Sequence, residues 1–141
     1  MKKIKLCIML CMVLAAGVLL NACMGKADKA QEGGEQTGSW RQVDAKDAAL
    51  LMEDASDYVI LDVRTQEEYD QGHIKGAVCI PNETIGEEVS EKLPQKDQTI
   101  FVYCRSGNRS KQASSKLAAL GYTDVVEFGG ISDWDGEIVT E

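Results

Sequence analysis

Short apolar runs alternate with stretches of helical character, and this alternation constrains the fold more than any other feature of the chain. The runs are residues 58–61 (YVIL), 77–80 (AVCI) and 99–103 (TIFVY), with a fourth at 124–128 (DVVEF) and a shorter one at 39–43. Uninterrupted aliphatic and β-branched runs suit strands covered on both faces. Between them lie helix signals. Asp44 caps a helix through Ala48, Ala49, Leu50 and Leu51. Thr65-Gln66-Glu67-Glu68 is a capping box, so a short helix follows Arg64 and ends at Gly72. Ile85, Val89 and Leu93 make a weak apolar stripe, which predicts a helix over 83–93. Residues 110–120 predict another, stopped by Gly121. Pro81 stops the run at 77–80, and Gly129-Gly130 turns the chain into a last short segment with Ile131 and Trp134. Strand and helix in this order predict the α/β class: a mostly parallel five-stranded sheet flanked by helices on both faces.

The start of the chain reads differently. Lys2, Lys3 and Lys5 precede an apolar run from Leu6 to Leu20, and Leu20-Asn21-Ala22-Cys23 follows. That is the layout of a secretory signal peptide over 1–22. Its end resembles a bacterial lipobox, with Asn21 where a small or β-branched residue is usual. The resemblance implies lipidation of Cys23, as with palmitate, and an extracytoplasmic chain held at a membrane. Plain cleavage and an uncleaved anchor are the alternatives, although about 15 apolar residues are short for a span of ~20. Residues 23–38 hold Gly, Gln and charged residues and read as a flexible tether. The remaining 39–141 form the expected domain.

The formal net charge is −8, and loss of the three signal-peptide lysines would take it to −11. Such a surface argues against nucleic-acid binding. With no Cys-x-x-Cys and a single histidine, His73, no metal and no other cofactor is expected. Cys79 and Cys104 are the cysteines of the domain; the first reads as a core residue, and a disulfide between them is an option in an oxidising compartment.

The chemistry concentrates in Cys104-Arg105-Ser106-Gly107-Asn108-Arg109-Ser110. Active sites of parallel sheets lie at the carboxyl ends of strands. Here a strand ends, a short polar loop follows, and a helix begins at about Ser110. Backbone N–H groups of such a loop cradle an anion, and the same field favours a thiolate. Arg105 and Arg109 add positive charge. The bland alternative is a buried cysteine at a strand end.

These residues resemble a single-domain rhodanese-like sulfurtransferase. Asp62-Val63-Arg64, Glu67-Glu68-Tyr69 and Gly72-His73-Ile74-Lys75-Gly76-Ala77 are similar to the family's first signature. The loop from Cys104 to Ser110 is similar to its active-site loop, and Gly121-Tyr122, Gly129-Gly130-Ile131 and Trp134 to its later landmarks. The resemblance covers about residues 39–137. It implies a Cys104 nucleophile that takes a sulfane sulfur from a small anionic donor, thiosulfate or a polysulfide. The sulfur is held as a persulfide and passed to a thiol or cyanide. Residues 105–110 would bind the donor, with Arg105 and Arg109 each either on its oxygens or turned to solvent. Asp62, Arg64 and His73 would be structural support.

Two rivals stand beside this reading. One is a cysteine phosphatase or arsenate reductase: cysteine phosphatases, including those of this fold, use Cys-x5-Arg, whereas Cys104 to Arg109 is Cys-x4-Arg, a shorter cradle that suits sulfur better than phosphate. The other is a membrane-tethered sulfur carrier or binding module with little thiosulfate turnover.

Overall fold

The structure, a computed structural model, describes residues 38–86 and 89–140. The signal peptide, nearly all of the tether and the lipidation site at Cys23 lie outside the described residues.

Five strands form one parallel sheet in the order β1-β6-β5-β2-β4. They are β1 (Trp40–Gln42), β2 (Tyr58–Asp62), β4 (Ala77–Cys79), β5 (Thr99–Cys104) and β6 (Val125–Gly130). The expected α/β sheet is therefore present. Two-residue strands β3 (His73–Ile74) and β7 (Ile138–Val139) pair antiparallel to each other; runs this short leave no periodic signal in the sequence.

The helix caps act as their residues dictate. Asp44 accepts the Asp47 N–H at 2.8 Å and opens α1 (Ala45–Asp54). Thr65 and Glu68 close both halves of the capping box of α2 (Gln66–Asp70). The continuous helix predicted over 83–93 is absent. A 3₁₀ turn covers Asn82–Thr84, Ile85 is extended, and α3 spans only Val89–Lys92. Gly86 follows Ile85 and favours the break. The apolar stripe still does its work, because Ile85, Val89 and Leu93 are all buried.

Strand parity divides the core. Along β5, Ile100, Val102 and Cys104 join one cluster, with Leu61, Ala113, Leu117 and Val125. Phe101 and Tyr103 join the other, with Ala45, Ala48, Met52, Val126 and Phe128. Alternate side chains of a strand face opposite ways, so the two clusters are the two sides of the sheet. Ala113 and Leu117 belong to α4 (Asn108–Ala119) and the alanines to α1, which places these helices on opposite faces. Cys104 faces α4.

Candidate active site

The loop is tighter than the sequence suggests. Cys104 is the last residue of β5, paired with Gly130, rather than the first residue of a loop. α4 begins at Asn108, not near Ser110. Only Arg105, Ser106 and Gly107 lie between. Gly107 has φ +97°, a left-handed conformation that side chains disfavour, and it turns the chain sharply into the helix. β6 runs on to Gly130 and packs beneath this turn. A Cβ at Gly130 would stand 2.3 Å from the Arg105 carbonyl oxygen, so the close approach requires glycine.

Cys104 is 1% exposed, as a core cysteine would be, yet its sulfur meets polar groups. Sγ accepts the Gly107 N–H at 3.1 Å and donates toward Ser110 Oγ at 3.6 Å. Burial pushes the thiol up. The Ser110 hydroxyl and the backbone N–H groups of Ser110, Ser106 and Gly107 outweigh it, and the net effect lowers the Cys104 pKa. Cys79 shows the contrast. It is also a free buried thiol, but burial pushes it up to about 11.

Ser110 is buried at the base of the loop. Its hydroxyl lies 2.9 Å from the Gly107 carbonyl and 2.6 Å from Glu127 Oε1. Glu127, fully buried on β6, also accepts the Gly129 N–H at 2.8 Å. The sequence reading passed over Glu127. Its signal was an acid inside a strand of Val125, Val126 and Phe128 that is covered on both faces.

The loop's two arginines differ. Arg105 is exposed. Arg109 holds Glu68 in a two-pronged ion pair, Nη1 to Oε2 at 2.7 Å and Nη2 to Oε1 at 2.9 Å. The Arg109 guanidinium is the main reason that the Glu68 carboxyl is held down at about 2. Ser106 and Asn108 are exposed on the loop and the first turn of α4.

Asp62 and Arg64 are paired with each other, and His73 is held by Tyr69; none of the three makes a hydrogen bond or ion pair with the loop. Arg64 Nη2 donates to Asp62 Oδ2 at 2.6 Å and to the Gly72 carbonyl at 2.7 Å. Tyr103 O–H donates to Asp62 Oδ2 at 2.6 Å and accepts the Ile74 N–H at 3.1 Å. His73 is buried, stacks on Tyr69 and has Nδ1 3.0 Å from the Tyr69 carbonyl. The side chains thus tie β2, β3 and β5 together. Among the described residues no cluster of His, Cys, Asp or Glu is placed to hold a metal ion.

Known proteins are similar to this chain over most of the described residues. The family model described as a rhodanese-like domain matches residues 44–137. The thiosulfate sulfurtransferase PspE of Escherichia coli strain K12 is 41% identical over 73 residues, covering 52% of this chain and 70% of that protein. A sulfurtransferase of Allochromatium vinosum is 37% identical over 94 residues, covering 66% and 86%. Among solved structures, a rhodanese with anions from E. coli superposes with TM-score 0.57 at 37% identity, covering 60% of this chain and 99% of that one. A rhodanese-related protein from Thermoplasma volcanium gives TM-score 0.61 at 32% identity, covering 72% and 99%. The family model spans well over half of the chain and the solved structures share its fold, so the chain belongs to the rhodanese-like family.

Proposed function

We propose that the chain is a sulfurtransferase that moves a sulfane sulfur, as a Cys104 persulfide, from thiosulfate or a polysulfide to a thiol or cyanide acceptor. The observation that carries this reading is the lowered Cys104 thiol, with the Gly107 N–H directed at its sulfur. In the first half-reaction the Cys104 thiolate attacks the outer sulfur of the donor. The S–S bond to the donor's remainder breaks, and sulfite or a shortened polysulfide leaves with the electron pair. In the second, an acceptor thiolate attacks the outer persulfide sulfur and Cys104 leaves as thiolate. Backbone N–H groups stabilise sulfur anions at each stage.

Burial of Cys104 supports sulfur as cargo. An added sulfur lies about 2 Å beyond Sγ, which carries the reactive atom outward from a nearly closed site. The basic start, the apolar run from Leu6 to Leu20 and the lipobox-like Leu20-Asn21-Ala22-Cys23 support the further reading that residues 1–22 are a signal peptide and that a lipid on Cys23 holds the chain outside the cytoplasm at a membrane. Loss of labelled palmitate from Cys23→Ala is the matching result.

One observation favours the carrier reading within the same chemistry. Arg109 is committed to Glu68, which leaves Arg105 as the exposed cation of the loop. A donor that relies on few oxyanion contacts, such as a polysulfide, suits this arrangement better than thiosulfate. Initial rates with each donor against a thiol acceptor test both points. Parallel double-reciprocal lines, with polysulfide the better donor, are expected. Hydrolysis of p-nitrophenyl phosphate with no sulfur transfer from either donor would overturn the proposal.

A further inference from the structure

The loop around Cys104 favours an anion through dipoles. The groups that lower its thiol are the Ser110 hydroxyl and the N–H groups of Ser110, Ser106 and Gly107, all of them neutral. Dipoles of this kind suffice for one negative sulfur. A donor that brings several negative charges needs a cation as well.

Arg109 stands where that cation would be. It lies in the first turn of α4, and its guanidinium feels the charge of Cys104. Glu68 occupies both of its Nη atoms, at 2.7 and 2.9 Å. The carboxylate is itself fixed from behind. Its Oε2 accepts from the Thr65 N–H at 3.1 Å and the Thr65 hydroxyl at 3.2 Å, within the capping box of α2. Glu68 therefore cannot swing away from Arg109 without loosening the start of a helix. Exposed Glu83 adds a second negative charge that acts on the same guanidinium. Arg105 is exposed, where water and salt screen its charge.

The donors differ in the charge they bring to this loop. Thiosulfate is a dianion with its oxygens beside the sulfane sulfur. With the Cys104 thiolate, three negative charges gather, and the oxygens meet Glu68 on their way to Arg109. A protonated organic persulfide, R–S–SH, brings no oxygen on sulfur and no charge. The Cys104 thiolate attacks its outer sulfur and a new S–S bond forms. The old S–S bond breaks, and R–S⁻ leaves with the electron pair. The proton stays on the transferred sulfur, so one negative charge enters the step and one leaves it.

We infer that Glu68 is a specificity-determining residue of the Cys104 site: it cancels the charge of Arg109 and so selects organic persulfides over thiosulfate as sulfur donors. The inference rests on the sulfurtransferase reading and names the donor class of that same site.

The test is the rate at which Cys104 of the full chain gains one sulfur in a single turnover, read on its peptide by mass spectrometry. Two donors are varied in concentration, thiosulfate and the persulfide of 2-mercaptoethanol, which carries no oxyanion. In the wild type, thiosulfate should need the higher concentration for half-maximal loading. In Glu68→Gln its half-saturating concentration should fall about tenfold relative to that of the persulfide, because a charge-assisted contact to Arg109 becomes available. Glu68→Gln combined with Arg109→Gln should lose that gain. A wild type that saturates at lower thiosulfate than persulfide overturns the inference, whether or not the variants fold. So does a Glu68→Gln chain with the wild-type ratio between donors, or a double variant that keeps the gain. Loading by neither donor would instead sink the sulfurtransferase reading, and this inference with it.

Discussion

Glu68→Gln separates the ion pair of the active-site loop from everything else that Glu68 does. Glutamine still completes a capping box with Thr65, so the start of α2 survives. What disappears is the charge facing Arg109. The carboxyl is held at about 2 against an ordinary 4.5, chiefly by the Arg109 guanidinium. At 1.36 kcal/mol per unit the shift is worth about 3 kcal/mol at neutral pH. Both side chains keep about a quarter of their surface in water, 26% for Glu68 and 28% for Arg109. Solvent screening reduces the figure to about 1–2 kcal/mol. For a domain of this size that lowers Tm by roughly 5–12 °C. The sign follows from a depressed carboxylate: the contribution is complete above the unfolded pKa near 4.5 and disappears as pH falls toward about 2. Urea melts of wild type and Glu68→Gln should therefore differ fully at pH 7 and by roughly half as much at pH 3. A gap that stays constant with pH, or a variant as stable as wild type at pH 7, would refute the reasoning. The variant also frees Arg109, and KM for thiosulfate should fall while polysulfide is little affected.

Three further outcomes follow from the loop and its supports. Gly130→Ala forces a methyl group against the Arg105 carbonyl; it should cost about 1–3 kcal/mol in urea melts and most of the turnover, because the loop itself must move. Tyr103→Phe strands the Ile74 N–H and removes one hydrogen bond from Asp62 Oδ2, which keeps Arg64. It should cost about 1–3 kcal/mol yet leave the Cys104 alkylation rate at wild-type level, since that network faces away from the sulfur. Peptide mapping after brief alkylation at pH 7 should find Cys104 modified and Cys79 untouched, in line with one thiol lowered and the other raised to about 11.

Much of this arrangement was legible in the residues. Asp44 and the Thr65–Glu68 pair announce their helices because a cap is a local interaction, made within three residues. The continuous run at 99–103 announces a strand covered on both faces, and the polar loop after it announces the site. What escaped was set by distance or by brevity. β3 and β7 are two residues each and pair across 64 positions, from Ile74 to Ile138. The stripe of Ile85, Val89 and Leu93 has helical spacing, but the core accepts the same three side chains from a broken segment. The loop proved shorter because the left-handed Gly107 starts α4 early. Arg109 looked available to a donor until tertiary structure brought Glu68 from 41 residues away. Glu127 and Ser110 are 17 residues apart and meet only when β6 packs under α4.

Covalent transfer through Cys104 is the centre of the account, and the mass of the protein tests it most directly. After incubation with thiosulfate or polysulfide and removal of the donor, the wild-type chain should gain one sulfur, about 32 Da, on the Cys104 peptide, and Cys104→Ser should gain none there. A wild type that gains no sulfur from either donor, or a Cys104→Ser variant that gains as much as wild type, contradicts it.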